Sequence, residues 1–230
     1  MSENLYQAPE VEIPQATVEV NIPESLNPWK SMWLQPRLTI RYLLSKDPTY
    51  MVVLLAIISG IYQSLDQAAT QSKGDTSSLG MILGSSLVGG AMGGMIGLFL
   101  FSWLQSVTGR WLGGVANSEQ VRLVYAWSTV PGLVGVSILI LQILVFRNDV
   151  FSSDMPIVDS SLLNQVLFWS SSIIQMILAI WSIALHIIGV AEVHVISKWR
   201  AFFAIILAFL LILGVIAILV LPFVIFGLMK

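Results

Sequence analysis

Charged residues divide this chain into five uninterrupted stretches, residues 48–65, 76–109, 123–146, 160–191 and 201–229, which are 18, 34, 24, 32 and 29 residues long. A helix of ~20 mostly apolar residues crosses a hydrocarbon core of about 30 Å, so each stretch has room for one crossing. The stretch from Ala201 to Met229 is apolar on every side and does not alternate, which excludes a membrane-spanning barrel strand. The pattern predicts an all-α fold, a polytopic membrane helix bundle with five transmembrane helices. The first stretch is the shortest, and Gln63, Gln67 and Gln71 carry its helix out past the membrane toward Lys73-Gly74-Asp75. Pro131 and Pro222 fall inside the third and fifth stretches, where each removes a backbone hydrogen bond and can kink its helix.

Before the first span, the pattern divides in two. Residues 1–26 hold five glutamates, no Lys or Arg and three helix-breaking prolines, Pro9, Pro14 and Pro23, so they read as a disordered acidic tail. Residues 27–47 read as an interfacial amphipathic segment. Asn27 caps a helix that Pro28 starts, and Pro36 begins a second helix with Arg37 and Arg41 four residues apart on one face. Leu34, Leu38, Tyr42 and the tryptophans supply its apolar side, which suits a helix lying on the membrane with its arginines at lipid phosphates. Residues 48–230 form the five-helix transmembrane domain.

Composition agrees with this solvent. Mean hydropathy is +0.84, with 56% apolar and only 10% charged residues, whereas soluble domains carry about a quarter charged. The net charge of −2, with no basic block, argues against nucleic acid as a partner. With no cysteine, disulfide, thiol and thiolate-metal chemistry are excluded. The N-terminal residues lack the pattern of a cleaved signal peptide, so the first span is expected to serve as an uncleaved anchor. With five spans and a cytoplasmic N-terminus, Lys30, Arg37, Arg41, Lys46, Arg110, Arg122, Lys198 and Arg200 fall inside, and only Lys73, Arg147 and Lys230 outside. This satisfies the positive-inside bias and predicts a multi-pass integral membrane protein with its N-terminus in the cytoplasm and its C-terminus outside.

The second stretch carries a glycine ladder. Gly89, Gly93 and Gly97 recur every fourth residue, with Gly90 and Gly94 beside them. Small residues at this spacing let another helix backbone approach closely, so Gly89, Gly93 and Gly97 are the candidate helix-packing residues. Their partner is another span of this chain or the same helix of a second copy. Two short connections on the predicted cytoplasmic side hold most of the remaining charge. They contribute the candidate lipid or partner contacts Arg110, Trp111, Arg122, Glu192, Lys198, Trp199 and Arg200. Glu192 is expected to pair with Arg110, Arg122 or Arg200, because an unpaired charge at that depth is costly. The arginines suit anionic lipid head groups, whose phosphates guanidinium groups bind bidentately. His186, Glu192 and His194 do not have the spacing of a helical zinc motif, so no metal, other cofactor or catalytic residue is expected. His186 and the polar Ser170, Ser171, Ser172 and Gln175 are read as interhelical hydrogen-bonding groups.

These residues carry a family likeness. Asn27-Pro28-Trp29 with Pro36-Arg37 and Ile40-Arg41, Gly113-Gly114 with Ala126-Trp127-Ser128 and Pro131, and Glu192 with Ser197, Trp199-Arg200-Ala201 resemble the Yip (Ypt-interacting protein) family, specifically its bacterial-type five-span members. The resemblance runs from about residue 27 to 229. It implies five helices, a cytoplasmic N-terminus and a place in a bacterial cytoplasmic membrane. In eukaryotic relatives it also implies Rab-type GTPase binding and a place in membrane traffic. The leading expectation is a non-enzymatic integral membrane protein that organises partners or lipids at its cytoplasmic face. A small transporter or lipid translocase and a trafficking factor that binds a Rab-type GTPase are the alternatives.

Overall fold

A computed structural model describes residues 22–228, with side chains as far as Leu221; most of the acidic tail lies outside the described residues. Nine helices follow among the described residues: α1 (Pro28–Leu34), α2 (Pro36–Lys46), α3 (Val52–Thr70), α4 (Leu79–Trp111), α5 (Ser118–Trp127), α6 (Val130–Phe146), α7 (Pro156–Asp159), α8 (Leu162–His194) and α9 (Lys198–Leu228). Five crossings are long and apolar enough to span a membrane: α3, α4, α5 continued by α6, α8 and α9. Ten described Lys and Arg side chains remain, and eight of them belong to segments at one end of the bundle, called here the basic end.

The third crossing is broken rather than kinked. Pro131 has no N–H to offer the carbonyl of Trp127, and α5 stops at Trp127. Ser128 and Thr129 bridge the break, their hydroxyls donating to the carbonyls of Tyr125 (2.9 Å) and Ala126 (2.7 Å). At its other end α5 starts in a capping box, in which Gln120 N–H donates to the Asn117 side chain at 2.9 Å and Asn117 N–H to Gln120 Oε1 at 3.1 Å. The fifth crossing, by contrast, continues helically through Pro222.

The entry segment docks on the bundle as a helical hairpin. Asn27 caps α1 by accepting from Trp29 N–H at 3.1 Å, and Pro36 restarts the chain as α2. The two helices fold back on each other, with Thr39 Oγ1 donating to Ser31 Oγ at 2.7 Å. Met32, Thr39, Ile40 and Leu43 are buried, and α2 packs on α8 and α5. The ring of Trp29 lies 5.0 Å from that of Trp127, whose indole N–H donates to the Tyr50 carbonyl at 3.0 Å. Arg37 and Arg41 share one acid. Arg41 Nε pairs with Glu192 Oε1, and Arg37 Nε lies 3.5 Å from Glu192 Oε2. Packing on α8 buries the apolar side of α2 and brings both guanidinium groups to the acid.

Glycine packing joins α3 to α4, but through the neighbouring stripe. A Cβ at Gly60 would lie 2.5 Å from Gly94 Cα, and one at Gly90 would lie 2.7 Å from Ile61 Cα, so only glycine lets these backbones touch. Within the chain Gly89 and Gly93 make no such contact: neither has a neighbour within 4 Å of a would-be Cβ. Gly97 only approaches the Tyr125 hydroxyl, at 3.7 Å. Hydrogen bonds fasten the other half of the bundle. Gln142 Nε2 donates to Ser171 Oγ at 2.7 Å, Gln175 Nε2 to Gln142 Oε1 at 2.9 Å, and Tyr62 OH to Gln175 Oε1 at 3.2 Å. Ser172 joins this set through Gln142 at 3.2 Å, whereas Ser170 bonds only within its own helix. At the far end Asp75 accepts from Ser153 N–H (2.9 Å) and Oγ (2.7 Å), which holds its carboxyl below the ordinary carboxylate range.

Gly60→Leu and Gly94→Leu should each lower the melting temperature in detergent, because overpacking a backbone contact costs about 1–3 kcal/mol or more. Gly93→Leu should melt as the unmodified chain does; equal losses at Gly93 and Gly94 would reject this packing. Glu192→Ala should cost ~1–2 kcal/mol, between exposed and buried ion pairs. A double-mutant cycle of Glu192→Ala with Arg41→Ala, read by chemical unfolding, should show coupling; simple additivity would contradict the pair.

Candidate functional site at the basic end

The candidate site is built where α4 ends and α8 turns into α9. Helix α4 stops because Gly113 adopts φ +88°, a left-handed conformation suited to glycine, and Gly114 N–H then donates to the Gly109 carbonyl at 2.9 Å. Into this turn α8 inserts His194, which is fully buried. Ala116 N–H donates to His194 Nδ1 at 3.3 Å, and Val115 N–H donates to the His194 carbonyl at 3.2 Å. With Nδ1 accepting, the imidazole proton resides on Nε2. A Cβ at Gly109 would lie 2.8 Å from His194 Cδ2, and one at Gly114 would lie 2.7 Å from Cγ. The histidine is a strut that needs both glycines. Next to it Val195 holds φ 56°, strained for a β-branched residue, and Ser197 Oγ caps α9 by accepting from Arg200 N–H at 3.3 Å.

This joint presents a chemically mixed surface. Arg110, Trp111, Lys198, Trp199 and Arg200 are all exposed, Trp199 at 74% and Trp111 at 61%. Arg200 reaches over the α4 turn, its Nη1 3.8 Å from a would-be Cβ of Gly113, so the α9 cation and the end of α4 share one surface. Val115 and Val195 stand exposed on the two connections that the Val115–His194 bond ties together. Among the described residues, no acid lies within ion-pairing distance of Arg110, Lys198 or Arg200.

Two expected members lie elsewhere. Arg122 is half-buried with its guanidinium 5.2 Å over the Phe99 ring, a cation–π contact along α4. Glu192 takes Arg41 and Arg37 as partners rather than Arg110, Arg122 or Arg200, because α2 fills the space beside it. The sequence did hold a signal for that pair: two arginines one helical turn apart and a single acid at the end of an apolar span.

The remaining histidine has a partner at each ring nitrogen. His186 Nε2 lies 2.9 Å from Gln105 Oε1 and Nδ1 lies 3.2 Å from Ser128 Oγ, so the ring ties α4 and α8 to the break in the third crossing. His186, Glu192 and His194 therefore point to three different sets of partners. Among the described residues, no group of three potential metal ligands occurs.

The comparisons with known proteins bear on the whole bundle. The family model of the Yip1 domain matches residues 30–221, from the first turn of α1 into α9. No curated protein and no solved structure matches the chain. A match over that span, on a bundle of five apolar crossings entered by a capped helical hairpin, makes this chain a multi-pass membrane protein of the Yip1 family.

Proposed function

We propose that the protein works by binding, not catalysis, and that the surface at the α4–α5 and α8–α9 connections engages the anionic head groups of membrane lipids. One observation carries this reading: Arg110, Lys198 and Arg200 are exposed without an acidic partner among the described residues, beside exposed Trp111 and Trp199. Guanidinium and ammonium groups supply charge and hydrogen bonds for phosphate, and tryptophan prefers the head-group layer. The basic end then faces the cytoplasm, where anionic lipid and the positive-inside bias both place it. His186, His194 and Glu192, the groups best suited to chemistry, are occupied in holding helices together.

The purified protein in mixed micelles, examined by native mass spectrometry, should retain phosphatidylglycerol over phosphatidylcholine. The preference should weaken with salt. Each basic side chain near an anionic surface is worth about 1 kcal/mol, so the Arg110→Ala, Lys198→Ala, Arg200→Ala triple variant should lose roughly two orders of magnitude of that preference at low salt. An unchanged lipid ratio would overturn the proposal. Orientation can be read directly, because the chain has no native cysteine. In intact cells a membrane-impermeant maleimide should label Ser153→Cys and spare Val195→Cys until the cells are opened. The reverse labelling would place the basic end outside.

A further inference from the structure

The glycines that α3 leaves uncovered border a groove of about 710 Å³ between α3 and α4. Its walls differ in kind. From α3 come Gln63, Asp66, Gln67 and Thr70; from α4 come Gly89 and Gly93, which add no side chain. Tyr125 stands at the end nearer the break in the third crossing. Because Gly60 meets Gly90 and Gly94, the antiparallel pairing sets Gln63 level with about Gly89, some ten residues and ~15 Å in from the start of α4. Helix α4, at ~50 Å, is longer than the ~30 Å apolar layer, so this polar wall lies where the head-group layer meets the apolar layer.

Acyl chains cannot cover that wall without penalty. An unpaired carboxylate or amide in hydrocarbon costs several kcal/mol. Asp66 has no cationic side chain within ion-pairing distance among the described residues, and its only described hydrogen bond runs from Thr70 to its backbone carbonyl. Shape limits what can fill the space. Spread over the ~22 Å of helix from Ala56 to Gln71, the volume is long, narrow and lined by polar side chains, which suits a small head group with charged and hydrogen-bonding atoms. Its opening is lateral: Gly89 and Gly93 are exposed, and so are Val88 and Met92 beside them, which suits an occupant arriving from the bilayer.

We propose that this groove binds the head group of a phospholipid that carries a primary ammonium. The ammonium lies against the Asp66 carboxylate, the amides of Gln63 and Gln67 donate to the phosphate, and the acyl chains run over Val88 and Met92. This site is distinct from the basic surface, takes the opposite charge and opens to the side of the bundle.

The test uses the full chain in phosphatidylcholine vesicles containing a small fraction of phosphatidylethanolamine with a photoreactive acyl chain, compared with phosphatidylcholine carrying the same photoreactive chain. The ethanolamine probe should label α3 and α4 peptides about fivefold more than the choline probe, the weight of one partly screened charge pair. Asp66→Asn should reduce the labelling to the choline level. So should Gly93→Leu, which fills the groove at a position with no neighbour to displace. Equal labelling by the two probes, or labelling that survives Asp66→Asn, would overturn the proposal. Quantitative disulfide-linked dimers of Gly93→Cys would do so as well, by giving the groove to a second copy.

Discussion

Hydrocarbon offers no hydrogen-bonding partner, and the departures from plain helix in this protein are arranged around that fact. Where the third crossing breaks, the hydroxyls of Ser128 and Thr129 take up nearby carbonyls, and His186 bridges the break to Gln105 of α4. Elsewhere Gln142, Gln175 and Tyr62 satisfy one another in a chain across three helices. Each such bond is worth only about 0.6 kcal/mol on average in a bilayer, because alternative partners exist before the helices associate. Their effect is on register: an amide that must find a particular serine fixes how far one span slides along another.

Glycine does the complementary work of distance. The α3–α4 pair touches backbone to backbone at Gly60, Gly90 and Gly94, and the joint at the basic end closes because Gly109 and Gly114 leave room for the His194 ring. In both places the absent Cβ is the structural element. The first site sets the approach of two spans, and the second fixes the α4 terminus against the α8–α9 turn. The strained Val195 backbone persists there because His194, held by Val115 and Ala116, leaves the chain no other route.

The five crossings could be read from the sequence because membrane insertion depends on length and apolarity, which are one-dimensional properties. Asn27, Pro28 and Pro36 could be read for the same reason, since caps and proline act locally. What could not be read was azimuth. Gly89 and Gly90 differ by 100° around α4, and only the position of α3 decides which stripe packs. The partner of Glu192 was hidden likewise. Arg110 and Arg200 flank it in the chain's topology, yet Arg41 reaches it because α2 docks on α8 through Ile40 against Gly189. His186 is the intermediate case: its need for a polar partner was legible, and the identity of Gln105 was a matter of tertiary packing.

The docking of α2 and the exposure of the basic surface are two sides of one electrostatic arrangement. Glu192 sits near the end of α8, within two to three turns of Lys198 and Arg200, and is the acid nearest to them along the chain. Both of its carboxylate oxygens are engaged, Oε1 by Arg41 and Oε2 by Arg37. An acid already shared by two guanidinium groups has little attraction left for a third cation, so Arg110, Lys198 and Arg200 keep their charge turned outward. The entry hairpin thus keeps the charge of the exposed surface turned outward without contributing a side chain to that surface.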